Sequence, residues 1–191
     1  MGKTITTLAL LLASPPAEDE PYKTTLIVGP VALVRQWQTE IATKILARYS
    51  LSTLLVHGNK PRFEDLMKHR VVLTTYGTIA AEYKRLAVFE EKLNINPDMD
   101  QSDASRKLPF LGPTSHFYRI ILDEAQCIKN RNTATAKACC LLRGTYRWCL
   151  TGTPMMNNTG ELYSLIKFLR IKPYNAWERF REVSYHLALL N

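Results

Sequence analysis

The sequence predicts an α/β domain: a parallel sheet covered by helices on both faces. Three observations carry that expectation. Short β-branched apolar runs alternate with stretches of helical periodicity along most of the 191 residues. The runs are apolar at consecutive positions, as strands buried on both faces are. The dense polar clusters each adjoin the end of a run or the start of a helix, and open α/β sheets bind ligands beyond the carboxyl ends of their strands.

Taken in order, residues 4–13 are rich in helix formers, and Pro15 and Pro16 stop the helix. TTLIVGP (24–30) is a buried strand ended by Gly-Pro. Residues 31–49 carry an apolar stripe at 33, 34, 37, 41, 45 and 46, which predicts one helix. LSTLLVH (51–57) is the second strand, followed by a Gly-Asn-Lys-Pro loop and a short helix over 62–68. VVLTTYG (71–77) is the third strand, with a helix from about Thr78. Residues 90–116 hold three prolines and no sustained period, which predicts an insertion or flexible surface loop. FYRIILDEA (117–125) is the fourth strand, 132–142 a helix closing at Gly144, and TYRWCLTG (145–152) the fifth strand. Helices over 161–169 and 176–190 complete a single domain spanning 1–191.

Composition narrows the classes. The longest apolar run, Leu8 to Ala13, is far short of the roughly 20 residues a membrane span needs. It is followed by Ser-Pro-Pro and acids, not a cleavage site, so an intracellular protein is expected. Net charge is +8, and residues 117–191 hold 11 Lys or Arg against 5 Asp or Glu. That balance suits a polyanionic partner and equally a solvated basic face. Cys127, Cys139, Cys140 and Cys149 form no C-x-x-C pair, so free thiols and no zinc site are expected.

Three clusters carry possible chemistry. Gly2-Lys3-Thr4 opens a helix in the way a phosphate-binding loop, G-x-x-x-x-G-K-[ST], closes. The first glycine of that pattern would stand ahead of residue 1, so the loop is expected to be cut and the chain to be a piece of a longer protein. Free N–H groups and the helix dipole favour phosphate there, the lysine reaches terminal phosphates, and the threonine hydroxyl suits magnesium. Asp123-Glu124-Ala125-Gln126 follows the strand YRIIL. Asp123 suits magnesium and Glu124 suits activation of an attacking water. Leu150-Thr151-Gly152-Thr153-Pro154, after YRWC, could sense a γ-phosphate or be a plain turn. Each cluster alone also reads as an ordinary cap or turn; the lysine and the acids together, in an alternating fold, favour a nucleotide.

Read jointly, GKTI, LIVGPVALVRQWQTEI, VVLTTYG, RIILDEAQCIKN and WCLTGTP, in that order, resemble the first ATPase lobe of the Swi/Snf family of DNA-dependent translocases in helicase superfamily two. HFYRIILDEAQ and CIKNRNT further resemble the fungal DNA-repair branch related to the helicase-like transcription factor. The resemblance implies a RecA-like lobe, truncated at its N-terminus, that uses ATP and magnesium. It implies double-stranded DNA or chromatin as partner, a second helicase lobe outside this chain, and a nuclear location. On matching positions, Gly2, Lys3 and Thr4 end the phosphate loop, with Thr4 and Asp123 as magnesium ligands and Glu124 as catalytic base. Gln126 stands where the family usually has a histidine that couples ATP state to DNA. Thr75, Tyr76, Lys129 and Asn130, with the segment around Gln36 and Trp37, fall in stretches lining the DNA path. For Trp37, its place on a helical stripe favours a core role. Thr151, Gly152 and Thr153 match the motif linking hydrolysis to movement.

The chain reads TGTPMMN where the family usually reads TGTPIQN, so Met155 and Met156 replace an aliphatic residue and an amide. Without the second lobe and its arginine finger, which in related hydrolases is worth roughly 10³–10⁵ in rate, the chain alone is expected to be nearly inactive. A non-catalytic DNA- or protein-binding fragment is the rival reading. An RNA helicase of the DEAD-box type fits less well, because those carry Ser-Ala-Thr where this chain has Leu-Thr-Gly-Thr-Pro.

Overall fold

The computed structural model describes residues 2–95, 107–155 and 159–189. Five strands, β1 (Thr25–Gly29), β2 (Thr53–Val56), β3 (Val71–Thr75), β4 (Phe117–Asp123) and β5 (Gly144–Leu150), form one sheet in the order β2-β3-β1-β4-β5. All pairings are parallel. The described helices are α1 (Lys3–Ala13), α2 (Val31–Lys44), α3 (Phe63–Met67), α4 (Tyr76–Ile95), α5 (Ala134–Leu141), α6 (Thr159–Leu169) and α7 (Trp177–Leu189). The expected helix-covered parallel sheet is what forms.

The consecutive apolar residues divide between two cores. On β1, Leu26 and Val28 join Val72, Ile120 and Leu122 under α3, α4, α5 and α6. Ile27 points the other way, with Leu73 and Ile121, onto Leu8 and Leu11 of α1 and Trp37 and Ile41 of α2. Every residue of β1, β3 and β4 is buried, whereas the edge strands β2 and β5 are only partly covered. On β5, Tyr146 is 50% and Trp148 41% exposed.

Several boundaries move for local reasons. The apolar stripe suggested one helix to residue 49, but Ile45 turns extended (φ −98°, ψ 125°) and ends α2 at Lys44. A separate 3-10 turn, Ala47–Tyr49, follows. Tyr76 starts α4 instead of ending β3, because the Thr75 hydroxyl accepts the Thr78 N–H at 3.1 Å and opens the helix. Thr133 caps α5 by accepting from the Ala136 N–H at 3.2 Å, which moves its start to Ala134. Gly144 is already in β5, where a Cβ would lie 2.8 Å from Ile120 Cδ1 and 3.0 Å from the Phe117 carbonyl oxygen.

The expectation of a flexible loop over 90–116 is corrected on both sides. Residues 90–95 continue α4, and Leu108, Phe110 and Leu111 are buried in the core. A buried side chain anchors the return: Oε1 of Glu82 accepts the N–H groups of Phe110 and Leu111, each at 2.7 Å. Residues 96–106 lie outside the described part. No helix among the described residues is long and apolar enough to cross a membrane.

Candidate nucleotide site

The carboxyl ends of the central strands and the start of α1 meet at one place. Gly2 caps α1 in the left-handed region (φ 52°), which glycine adopts at little cost. Among the described residues no side chain caps the helix and its first turn holds no acid, which leaves its leading N–H groups suited to an anion. Lys3 reaches from this turn to Glu124, donating from Nζ to Oε1 at 2.6 Å.

Glu124 follows β4 in a left-handed turn (φ 49°, ψ 54°), a conformation that costs a non-glycine residue roughly 1–2 kcal/mol. The turn lifts its carboxylate off the strand and toward Lys3. Its other oxygen accepts from Gln126 Nε2 at 2.6 Å. The Lys3 contact, then that of Gln126, holds the carboxyl below the usual range. Gln126 Oε1 in turn accepts the Thr151 hydroxyl at 2.7 Å, and Thr151 Oγ1 accepts the Thr153 N–H at 3.0 Å. One hydrogen-bonded chain thus runs through all three clusters singled out in the sequence.

Asp123, 6% exposed, is held at three atoms. Its Oδ1 accepts the Glu124 N–H at 3.0 Å, and Oδ2 accepts the Trp37 indole N–H at 2.8 Å. Its carbonyl oxygen accepts the Tyr76 hydroxyl at 2.8 Å. Burial raises the Tyr76 phenol far above its ordinary range, so it stays a neutral donor.

A cavity of about 150 Å³ opens between these groups, walled by Lys3, Thr4, Trp37, Glu40, Asp123 and Glu124. Glu40 had no signal in the sequence. It lies three residues after Trp37 on α2, where it accepts from Gln36 at 2.7 Å and Lys44 at 3.1 Å. Those bonds, Gln36 first, lower its carboxyl.

The residues fit magnesium and phosphate. Each carboxylate oxygen of Asp123 accepts one hydrogen bond and keeps lone-pair capacity, and Thr4 lines the same space. Among the described residues no three His, Cys, Asp or Glu side chains are grouped to hold an ion. A divalent cation here would need oxygens from its ligand, as magnesium does when it binds one or two carboxylates plus phosphates. The cavity is smaller than the roughly 300–1,000 Å³ of a whole-ligand pocket and suits the reacting end of a nucleotide.

The residues expected along a DNA path divide. Thr75 and Tyr76 are 2% and 7% exposed and engaged with Thr78 and Asp123, so they frame the site and present no surface. Lys129 pairs with Glu161 at 3.5 Å, and Asn130 is exposed, accepting the Asn132 N–H at 3.0 Å. Gly152 and Thr153 are exposed and so is Met155, while Met156 lies outside the described residues. Gln36 is exposed; Trp37 is 3% exposed, both a core residue and a wall of the site. The basic excess of the C-terminal part is less of a display than its count suggests. Arg119 donates to the Ser14 carbonyl, Arg143 to that of Gly112 and Arg147 to those of Phe168 and Leu142, while Arg131 stacks 3.5 Å over Trp177.

Comparison with known proteins identifies the family and the fold. The SNF2-related domain matches residues 1–187. The chain is 48% identical over 183 residues to an uncharacterised ATP-dependent helicase of Schizosaccharomyces pombe, covering 94% of this chain and 17% of that protein. It is 41% identical to the ATP-dependent helicase ULS1 of Saccharomyces cerevisiae, over 95% of this chain and 12% of that one. With the DNA repair protein RAD5 of Yarrowia lipolytica identity is 39%, over 94% and 17%. The chain therefore spans less than a fifth of the length of these relatives. The Sulfolobus solfataricus SWI2/SNF2 ATPase core, solved in complex with double-stranded DNA, superposes with a TM-score of 0.65 at 23% identity. That overlay covers 95% of this chain and 32% of the archaeal one, and it identifies the fold as a RecA-like lobe. By the match of its residues 1–187 to the family model, this chain belongs to the SNF2-related domain family.

Proposed function

We propose that the chain is the nucleotide-binding lobe of a DNA-dependent ATPase, a translocase of chromatin remodelling or DNA repair in the nucleus. One observation carries the reading: Lys3 and Glu124, 121 residues apart in sequence, converge at 2.6 Å beside Asp123 and a free helix N-terminus. Gly2, Lys3 and Thr4 bind the phosphates of ATP, and Thr4 and Asp123 hold magnesium. The ion, when bound, neutralises charge on phosphate oxygens. Lys3 exchanges its carboxylate partner for a terminal phosphate, which frees one oxygen of Glu124. Glu124, still held at its other oxygen by Gln126, then accepts the proton of the attacking water.

Gln126 has no titrating group, so it acts as a two-ended bridge. Its amide nitrogen donates to the base and its oxygen accepts from Thr151, so the state of the base is felt in the Thr151–Thr153 loop. Duplex DNA is the proposed polyanion, bound across this lobe and a second one. The names of the relatives support a helicase-like motor, and the internal use of Arg119, Arg131, Arg143 and Arg147 weakens a purely electrostatic binding module. The test is DNA-stimulated ATPase activity of the full-length protein with Glu124→Gln. Turnover should fall by roughly 10²–10⁴ with nucleotide binding retained. Undiminished turnover would refute the assignment.

A further inference from the structure

We propose that Trp37 is a positioning residue for Asp123, holding the carboxylate in the orientation that receives the metal; the proposal rests on the nucleotide reading above. The indole N–H is a donor only, and a buried tryptophan finds an acceptor wherever one is near. Its acceptor here is the side chain assigned to the metal, 86 residues further along the chain, at 2.8 Å.

The two ends of this contact are fixed independently. The indole sits in the core formed by α1, α2 and the sheet, beside Leu8, Ile41 and Ile121, and is 3% exposed. Asp123 is fixed along the backbone by the Tyr76 hydroxyl, which bonds its carbonyl and leaves the carboxylate to other partners. Among the described residues those partners are the Glu124 N–H on Oδ1 and the indole on Oδ2. Rotating the carboxylate breaks both bonds at once. With the indole N–H gone, a single backbone donor would remain, and the Lys3 ammonium in the same cavity would become a competing partner. A lysine drawn to Asp123 would block the metal ligand and vacate Glu124 together. Groups that orient a metal ligand typically change metal affinity by about 10–100-fold when removed.

Two replacements in the full-length protein separate positioning from packing. Trp37→Phe deletes the N–H and part of the ring. Replacing Trp37 by 3-benzothienylalanine keeps the bicyclic shape and puts a sulfur, which cannot donate, in place of the N–H. Binding of a fluorescent ATP analogue is titrated with magnesium, and again in EDTA. The proposal expects the magnesium concentration for half-maximal binding to rise about tenfold or more in both proteins, with affinity in EDTA within about twofold of wild type. A purely structural tryptophan would lower affinity equally with and without the ion, or change nothing in the benzothienyl protein; either result overturns the proposal. Should Trp37→Phe fail to fold, the isosteric replacement decides alone. Wild-type protein that binds the analogue neither with magnesium nor in EDTA would sink the nucleotide reading itself, whereas wild-type binding that ignores magnesium would overturn this inference alone.

Discussion

Glu82 tests how burial and hydrogen bonding compete. It is fully buried on α4, and its Oε1 takes two backbone N–H bonds at 2.7 Å from the returning segment. Its Oε2 has no hydrogen-bond partner, with the Arg85 guanidinium 3.7 Å away. Burial pushes the carboxyl from 4.5 up to about 7, against the two N–H donors and Arg85, which favour the anion. The native chain therefore keeps this proton in a window, between pH 4.5 and about 7, where the unfolded chain has lost it. The sign follows: the stabilisation is complete below about 4.5 and is lost as pH rises through about 7. At about 1.4 kcal/mol per pH unit the gap amounts to ~3 kcal/mol.

Glu82→Gln keeps an oxygen for both N–H groups and removes the titration. It also places an amide NH₂ where Oε2 had no hydrogen-bond partner, at a cost of ~1–3 kcal/mol. The variant should be less stable than wild type at about pH 5, and the deficit should shrink or reverse by about pH 8. The assay is urea unfolding followed by circular dichroism across that range, reading the difference between the two proteins so that other titrating groups cancel. A difference constant across the range would refute the idea that burial prevails over the two donors.

Gly144→Ala should cost ~1–3 kcal/mol, because its Cβ would lie 3.0 Å from the Phe117 carbonyl oxygen, which cannot retreat as a side-chain tip can. Calorimetric melting measures this, and an unchanged midpoint would mean β4 and β5 approach less closely than described. Tyr76→Phe removes one buried bond to the Asp123 carbonyl and should cost ~1–2 kcal/mol in denaturant unfolding. A neutral result would show that the strand tip is held by the sheet alone.

Much of the fold was legible because β1, β3 and β4 are buried on both faces, so their apolar runs stand out against amphipathic neighbours. The acid pair was legible for a related reason: carboxylates ending such a run have no packing explanation. What local pattern could not show was contact across distance. The 90–116 stretch looked unstructured because its anchor, Glu82, lies 28 residues before Phe110 and sits on another element. Trp37 read as core, which it is, but its stripe carried no sign that its N–H meets a carboxylate 86 residues later. Thr75 and Tyr76 were placed along a DNA path, yet both side chains turn inward, a choice a short β-branched run does not record.

The 121-residue separation of Lys3 from Glu124 also orders events during synthesis. At roughly 5–20 residues per second, a ribosome that has made the lysine works for about 6–24 s before the acid exists. Throughout that interval the lysine has no carboxylate at position 124 to meet. The contact between Lys3 and Glu124 therefore forms only when β4 has been inserted beside β1, so that one ion pair reports on the finished sheet.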